Sequence, residues 1–428
     1  MEQNLSSQPE RSTTERLFDT AAALFWRGGY SATTTREIAA ALGIQQASLY
    51  HHMASKEDLL YRICLSSLDP FLVDVPATVR KVECPLERIR LFIRAHLTTL
   101  LRYQQRNVTF LTELRSLSRR HRTEVLALRD KYEHFSRSTL ESAQATGAIR
   151  KDISVKYLSL ALMSMLNYAA LWFRREKALN EEQLAEIFTR VYLDGAAAPG
   201  VRSLVILPDF SAEEKRPVAR TRKTPVTVDN PALGRVLAAA VGLFSRKGYA
   251  ATSTREVAKL LGIQKASLYY HVESKEDLLF LICQSSLKQI RNDVEMAIRD
   301  AQDPLERTRT LICSHIESLL RDEDKHSTTF AEMHFLSEDR LDRVLKLRDD
   351  YEDLVRSVLK EAQAAGVLRS DVEAKYLCLA LLGLMNRVMV WYRRGGPLSP
   401  SQIGRLFAVI FLSGAATIDE PLSRLPKP

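Results

Sequence analysis

The chain is longer than a usual single domain and carries a modest positive charge. It has 428 residues, of which 46% are hydrophobic and 26% are charged, a balance typical of soluble proteins with packed cores rather than disordered ones. Lys and Arg exceed Asp and Glu by 61 − 52 = 9, which favours a polyanionic partner such as nucleic acid. The five cysteines form no CxxC or Cys/His cluster, so neither a disulfide framework nor a metal site is predicted. We expect reduced thiols, a cytoplasmic location and no cofactor.

The N-terminus and the apolar segments give no sign of a membrane protein. The opening MEQNLSSQPERS lacks a basic stretch followed by an apolar one, so no secretory signal is predicted. The most apolar segments are residues 157–173 and 376–392, and the second contains Arg387, which a lipid-facing helix tolerates poorly. We interpret both segments as buried helices and expect no membrane partner.

One segment of the chain occurs twice. GIQQASLYHHMASKEDLL at residues 43–60 returns as GIQKASLYYHVESKEDLL at residues 262–279, an offset of 219. The same offset relates Pro85 to Pro304, Gly147 to Gly366, and Gly195 to Gly414. A constant shift over so long a stretch indicates a tandem duplication of a whole unit rather than a short-period repeat. Residues 196–230, rich in Pro, Ala, Thr and charge, are interpreted as a linker between the copies.

The start of each copy predicts three short helical elements. Leu17, Ala21, Leu24 and Phe25 recur at helical spacing, and Gly29 is expected to stop this first helix. A second helix is predicted over residues 35–42, a third over 45–52, and a fourth begins after Ser55. The second copy repeats the pattern. These elements predict helix-turn-helix domains at residues 12–58 and 231–277.

The rest of each copy is also helical in pattern. A helix begins at Pro85, a long one ends at Gly147, another covers residues 153–177, and the last begins near Asn180. No segment shows sustained strand alternation, so the fold class is all-α. We expect two tandem units, with helical ligand and dimerisation domains at residues 59–195 and 278–414.

The third helix carries residue types suited to reading DNA. Ahead of an apolar Leu49 stand Gln45, Gln46, Ala47 and Ser48, and in the second copy Gln264, Lys265, Ala266 and Ser267. Gln can pair with an adenine edge, Lys with guanine acceptors, and the Ala methyl can touch thymine. Nearby side chains can donate to phosphate: Thr35, Tyr50, His52 and Lys56, with Thr254, Tyr269, His271 and Lys275. From the residues alone, a small three-helix domain whose polar groups are merely solvated stays open.

The segments TTTREIAAALGIQQASLYHHMASKEDLL and TSTREVAKLLGIQKASLYYHVESKEDLL, with the preceding FWRGGY and FSRKGY, resemble the DNA-binding domain of TetR/AcrR-type transcriptional regulators. The resemblance covers roughly fifty residues per copy. It implies DNA contacts by the residues already named and by four more: Arg36, His51, Arg255 and Tyr270. Met53 and Val272 replace the aromatic residue that often follows the Tyr-x-His element, and either can fill an apolar slot.

Regulators of this family usually act as symmetric homodimers, which suggests why one chain holds two copies. The resemblance implies an intramolecular pseudo-dimer that binds a double-stranded DNA operator, joined by the helices at about residues 153–194 and 372–413. Because Gln46 corresponds to Lys265 and His51 to Tyr270, we expect an imperfect palindrome. Pairing of two whole chains, with four DNA-binding heads, is the alternative arrangement.

The resemblance also implies a small-molecule inducer bound among the middle helices. The WFRREKALNEEQ and WYRRGGPLSPSQ segments look like those of acyl-CoA responsive members, so an acyl-CoA is one candidate. Candidate ligand residues are His96, Asn167, Trp172, His315, Asn386, Trp391 and Arg394. Buried core residues with satisfied polar tips explain most of these equally well. The copies differ where Tyr168 corresponds to Arg387, so loss of the ligand from one pocket stays open.

Two other classes of function remain for comparison. No nucleophile-base pattern, metal spacing or phosphate-binding glycine loop indicates an enzyme. A sequence-indifferent DNA-architectural or scaffolding protein would bind random and selected duplexes alike. We expect a ligand-responsive transcriptional regulator, a repressor, and no enzyme.

Overall fold

The computed structural model describes residues 12–173, 179–195 and 230–414, and the regular structure within these ranges is helical without a strand. This confirms the all-α class. The helices of the first copy are α1 Thr13–Gly28, α2 Thr35–Leu42, α3 Gln46–Leu49, α4 Lys56–Val79, α5 Pro85–Arg102, α6 Gln104–Glu113, α7 Arg119–Ala145, α8 Val155–Trp172 and α9 Glu181–Asp194, with a 3-10 turn at Leu114–Ser116.

The second copy repeats this order. Its helices are α10 Pro231–Lys247, α11 Thr254–Leu261, α12 Lys265–Tyr269, α13 Lys275–Ile298, α14 Pro304–Arg321, α15 Glu323–Glu332, α16 Glu338–Ala364, α17 Ala374–Asn386, α18 Val388–Trp391 and α19 Pro400–Ser413, with a 3-10 turn at Met333–Phe335. The predicted linker, apart from Asn230, lies outside the described residues.

Local capping residues fix where the helices begin. Thr34 accepts from the backbone N–H of Glu37, whose carboxylate returns to the Thr34 backbone, a reciprocal capping box. The same arrangement occurs at Ser253 in the second copy and before the last helix of each copy. These boxes satisfy N–H groups that have no partner within the helix.

Two predicted helices are shorter in the structure. The third, predicted over 45–52, spans only Gln46–Leu49, because the next residues form tight i to i+3 turns, with the His52 N–H donating to the Leu49 carbonyl. The helix predicted over 153–177 ends at Trp172, because Phe173 takes an extended backbone. Residues 174–178 lie outside the described part of the chain.

Each predicted helix-turn-helix domain, here called a head, packs on the remaining helices of its own copy, here called the body. In the first copy one apolar cluster joins Leu17, Ile38 and Leu49 of the head to Phe110 of α6 and Val125 of α7. Helix α4 runs unbroken from the head into the body. A movement of α6, α7 or α4 is therefore transmitted to the head, because a close-packed core does not deform freely.

The two copies meet through the last long helices of each. Helix α8 packs along α17, while α9 and α19 contact each other and the opposite pair, so the four form a bundle. The packing is close at Gly383 of α17, where a Cβ atom would lie 2.8 Å from the Tyr168 Cβ atom of α8. Glycine is therefore required there by the neighbouring helix.

The ends of α9 and α19 cross about a pseudo-two-fold axis. Gly195 has φ +80°, and a Cβ atom on it would lie 2.2 Å from the Leu412 carbonyl oxygen. Gly414 has φ +73°, and its Cβ atom would lie 2.3 Å from the Leu193 carbonyl oxygen. Each contact maps onto the other by the offset of 219, as expected when two copies associate symmetrically.

Arginines brace the same crossing from both sides. Arg150 donates to the Ser413 hydroxyl at 2.6 Å, and its counterpart Arg369 donates to the Gly195 carbonyl at 3.2 Å. Both lie beside an aspartate two residues later in their own copy.

The window Ala374–Trp391 is apolar and long enough to cross a membrane, but 67% of it is buried inside the protein. Its burial in the bundle agrees with its interpretation as a core segment.

Candidate nucleic-acid interface and ligand chamber

A glycine turn sets the angle between the second and third helices of each head. Gly43 has φ +70° and Gly262 has φ +68°, and the space around both is open, so the backbone conformation alone requires glycine. The turn places α3 beside α2, and Leu49 anchors α3 in the head core with no exposed surface. The polar residues of α3 therefore face outward.

The outward face of the first head is composed of the predicted base-reading residues. Gln45, Gln46, Ala47 and Tyr50 are exposed, and Ser48 is partly so. The Gln46 amide donates to the Thr35 hydroxyl at 3.0 Å, which holds one end of the side chain while its carbonyl stays available. The structure thus brings the predicted recognition residues onto one surface.

The second head presents a similar surface with a different charge. Lys265 replaces Gln46, and its ammonium lies 5.4 Å from the centre of the Tyr269 ring. The Tyr269 hydroxyl lies 3.2 Å from the Thr254 hydroxyl, and Tyr270 is 87% exposed. The remaining predicted residues of this surface, Gln264, Ala266 and Ser267, are exposed as well.

Lys56 and Lys275 have a structural role that the sequence did not reveal. The Lys56 ammonium donates to the carbonyls of Tyr30 at 2.9 Å and Thr33 at 2.8 Å, and Lys275 repeats both bonds one copy later. Burial lowers the pKa of Lys56, and the nearby Glu113 carboxylate opposes that effect. Each lysine thus ties the start of α4 or α13 to the turn before the second helix, and its contact with phosphate stays a prediction.

The other predicted DNA contacts differ in exposure. Arg36, Arg255 and His51 are exposed, whereas His52 and His271 are partly buried. Met53 and Val272 are each 2% exposed, so both fill the apolar slot expected of them. The role of these arginines and histidines as DNA contacts remains a prediction.

A charged contact between the copies lies directly behind the heads. The Arg115 guanidinium forms an ion pair with the buried Glu332 carboxylate of the other copy, 2.5 Å apart. Burial raises the pKa of Glu332, and Arg115 opposes that effect. In the first copy, the equivalent Glu113 accepts from the Tyr30 N–H of the head at 3.4 Å. The offset aligns Glu113 with Glu332, but only the fold shows that the ion pair crosses between copies.

A chamber of about 660 Å³, open mouth included, lies inside the first copy. Helices α4 to α8 supply most of its wall, and α18 and the residue before it supply the rest. Its lining is Leu68, Phe71, His96, Leu100, Asn107, Phe110, Leu111, Leu114, Arg129, Tyr132, Glu133, Met163, Asn167, Arg387 and Val390. Apolar side chains and a few convergent polar ones share this lining, as they do in small-molecule sites.

Some predicted ligand residues line this chamber and others do not. His96 and Asn167 are part of its wall. Trp172 instead packs at a tilt against Phe188, and Trp391 packs in the same way against Phe407. Arg394 is exposed, with the Glu323 carboxylate 4.0 Å away. Arg129 and Glu133 were not among the predicted ligand residues, and Arg387 was expected only to mark a difference between the copies. Arg129 and Glu133 lie one helical turn apart on α7, a spacing that is equally common on solvated helix faces.

The paired histidines His96 and His315 have different partners. His96 Nδ1 lies 2.8 Å from the Tyr132 hydroxyl, and burial lowers its pKa to about 3. Its Nε2 has no hydrogen-bond partner among the described residues. His315 Nδ1 lies 2.7 Å from the Tyr351 hydroxyl, and its Nε2 lies 3.1 Å from the Asn386 amide oxygen. Burial lowers the pKa of His315 to about 4. Both rings are therefore neutral at pH 7.

Two helix-turn-helix heads on one helical body define a DNA-binding regulator of transcription. Comparison with known families agrees. The model of bacterial regulatory proteins of the tetR family matches residues 17–63 and 236–282, and the model of the tetracyclin repressor-like C-terminal domain matches residues 83–196 and 301–415. The chain belongs to the TetR family, with both domains present twice.

Individual relatives match one copy's length of this chain. The transcriptional repressor KstR2 of Mycolicibacterium smegmatis is 28% identical over 196 residues, covering 44% of this chain and 94% of its own. KstR2 of Rhodococcus jostii is 30% identical over 190 residues, covering 43% and 90%. The crystal structure of the TetR family regulator PfmR from Thermus thermophilus has 34% identity, covers 41% of this chain and 96% of its own, and gives a TM-score of 0.39.

Proposed function

We propose that this chain is a cytoplasmic, ligand-responsive repressor in which one molecule, acting as a pseudo-dimer, occupies one operator. The observation that carries the proposal is the bundle of α8, α9, α17 and α19, through which the two copies meet. A family dimer needs two subunits to supply two recognition helices, whereas here one chain supplies both. The repressors named among its relatives support the direction of regulation.

The proposed operator is an imperfect palindrome. Both heads present exposed polar residues at matching positions, but Gln46 faces one half-site where Lys265 faces the other. Gln pairs best with adenine and Lys with guanine. We therefore propose that the half-sites differ at the base these residues meet, while the centres of the half-sites lie about 34 Å apart or a multiple of this distance.

The position of the chamber supports ligand response. It touches α4 and α6, which carry the first head, and Arg387 and Val390, which belong to the second copy. A ligand that fills it contacts both the head support and the junction between copies. It can shift the equilibrium between DNA-binding and DNA-free arrangements only if it binds them with different affinity.

Selection of bound duplexes from a random pool tests the proposal. Light scattering of the purified complex then gives its stoichiometry. We expect one asymmetric operator and one chain per duplex. Two chains on one duplex would instead favour the arrangement with four heads, and equal binding of random and selected DNA at fixed salt would favour an architectural protein.

A matched pair of variants separates base reading from general attraction. Gln46→Ala should relax preference in one half of the selected site only, and Lys265→Ala in the other. Lys259→Ala serves as a control, because this exposed lysine of α11 stands outside the proposed reading face. Uniform weakening at every position by both test variants would contradict their role as base readers.

A further inference from the structure

The two copies differ at the place where the ligand chamber reaches the other copy. In the first copy the chamber wall includes Arg387, which belongs to the second copy. The residue at the equivalent place on the other side, 219 positions earlier, is Tyr168. One side of the molecule therefore presents a guanidinium and the other a phenol.

Arg387 is enclosed by protein but keeps accessible surface because it faces the chamber. Within the described part of the chain its guanidinium makes no hydrogen bond or ion pair. Burial lowers its pKa to about 10, and the charge of Arg129 adds to this effect while Glu133 opposes it. The group still carries its positive charge at neutral pH, and its donors are free to meet an anion.

Among the described residues, Arg387 is the charge of the chamber wall that lacks a counterion. Arg129 also lines the wall, but it already has two acidic neighbours, Glu133 and, 3.0 Å away, the Asp130 carboxylate. The Arg129 Nε atom lies 3.3 Å from the Glu133 carboxylate, and burial raises the pKa of Glu133. A buried cation without a full set of partners is costly, and an anionic ligand removes that cost.

Hydrogen bonding further separates the two sides. In the first copy, His96 is 1% exposed and lines the chamber with its Nε2 unpaired. Asn167 lies close enough to raise the pKa of His96 without forming that bond in good geometry. In the second copy His315 Nε2 meets the Asn386 amide oxygen at 3.1 Å. Both ring nitrogens of His315 therefore have partners among the described residues, whereas the Nε2 atom of His96 has none.

We propose that the first copy alone binds the effector, and that this effector is an amphipathic carboxylate. This inference rests on the proposed ligand response and specifies its chemistry. The carboxylate head meets Arg387 and Arg129, whose planar donors match two carboxylate oxygens. The apolar body lies against the side chains that make up most of the wall, among them Phe71, Leu100 and Phe110.

The bound carboxylate joins the two copies across the chamber. Arg129 belongs to α7 of the first copy, and Arg387 stands at the break between α17 and α18 of the second. Helix α17 is also the element that packs along α8 in the bundle. An anion held by both arginines thus favours one arrangement of the copies, and through it one placement of the heads.

Calorimetric titration of the full chain with octanoate tests the proposal, with octan-1-ol as the uncharged probe. We expect one octanoate per chain and weaker binding of octan-1-ol. Arg387→Met should lower octanoate affinity at least about tenfold, because a charge-assisted pair is lost, and should leave octan-1-ol affinity nearly unchanged. Arg387→Lys should restore part of the loss.

The second copy offers the matched control. Arg348 corresponds to Arg129, so Arg129→Met should weaken octanoate binding while Arg348→Met should not. Two octanoate molecules per chain, equal losses from Arg129→Met and Arg348→Met, or no octanoate binding at all would overturn the proposal. Thermal melting of each variant shows whether it is folded. If Arg387→Met does not fold, Arg129→Met tests the same anion site.

Operator binding, measured by gel shift without octanoate, distinguishes this proposal from the function on which it rests. Retained operator binding with no octanoate binding overturns the carboxylate site alone. Loss of operator binding by the unmodified chain overturns the proposed repressor instead. If one octanoate binds per chain but operator affinity is unchanged, the carboxylate site is supported and its proposed regulatory role is overturned.

Discussion

The two heads of the molecule match each other closely, whereas the two chamber regions differ. In the heads, Lys56 and Lys275 make the same carbonyl bonds, Leu49 and Leu268 fill the same core position, and the same capping boxes begin the second helices. In the chamber regions, Tyr168 of the first copy corresponds to Arg387 of the second, and Asn107 corresponds to His326.

The difference indicates which parts must act together. A duplex with two half-sites needs two heads of the same geometry, because each must enter a groove at a fixed spacing. A ligand signal needs only one chamber when both copies share one bundle, because any shift of the bundle reaches both heads. The second copy is thus free to differ from the first at the chamber positions. Four predictions test this contrast, in order of expected effect.

The crossing of α9 and α19 should tolerate no side chain on either copy. Gly414 has φ +73°, and Gly414→Ala adds a Cβ atom 2.3 Å from a carbonyl oxygen. Gly195→Ala adds one at nearly the same distance and φ. Steric overlap and backbone strain together should lower the free energy of unfolding by about 4 kcal/mol in each. Urea unfolding measures the loss.

Gly366→Ala is the control for backbone strain alone. Its φ is +70°, but nothing lies within 4 Å of the added Cβ atom, so it should cost only about 1 to 2 kcal/mol. Equal losses from Gly366→Ala and Gly414→Ala would mean that the copies do not approach closely at the crossing.

Acid should destabilise the protein through its buried histidines. The folded pKa values of His96 and His315, about 3 and about 4, lie below the ordinary value of 6.5 because both rings are buried. The unfolded chain therefore binds more protons, and stability is lost as the pH falls from 6.5 towards 4. Each histidine should contribute a slope of about 1.4 kcal/mol per pH unit, so about 3 kcal/mol across the window.

His96→Gln and His315→Gln should each flatten this dependence, which urea unfolding at several pH values would reveal. A variant with an unchanged slope would show that its histidine binds protons as readily in the folded protein as in the unfolded chain. Octanoate should restore stability at pH 7 in His315→Gln, because that change lies outside the proposed anion site.

Removal of either turn-holding lysine should cost the same in both heads. Lys56→Met and Lys275→Met each leave backbone carbonyls of the turn before the second helix without this donor. Each change should lower the free energy of unfolding by about 2 kcal/mol. Hydrogen exchange within residues 30–33 and 249–252 reports the local loss. A much larger effect in one head than in the other would break the equivalence of the heads.

The smallest expected effect is on base choice. Exchange of Gln46 for Lys should make the two half-sites of the selected operator more alike, with a change of about 1 to 2 kcal/mol at one base pair. Competition binding with single-base operator variants measures it. An operator preference that stays equally asymmetric would show that these residues do not account for the difference between half-sites.

Much of the fold followed from local patterns in the chain. Apolar spacing, glycine stops and capping residues predicted the helices of the head, and α2 was found over the predicted residues Thr35–Leu42. The third helix was predicted too long because polar residues after Leu49 are compatible with both a helix and tight turns. Tertiary packing of Met53 selects the turns.

The candidate DNA surface was more predictable than the chamber. Exposed Gln45 and Gln46 follow directly from the position of Leu49 on a short helix, since a buried anchor turns its neighbours outward. The chamber was not predictable in this way. Arg129 is one helical turn from Glu133 in a generally charged helix, and no local pattern distinguishes a residue that lines a cavity from one that is solvated.

The sequence by itself determined that this protein is two copies of one all-helical unit, because helix periodicity, caps and a constant offset are properties of neighbours along the chain. Only the tertiary structure decided what lies between the copies. Arg115 meets Glu332, Gly195 meets Leu412, and Arg387 enters the chamber of the other copy. These contacts join residues roughly two hundred positions apart, and their geometry depends on how close-packed helices cross, which no local pattern encodes.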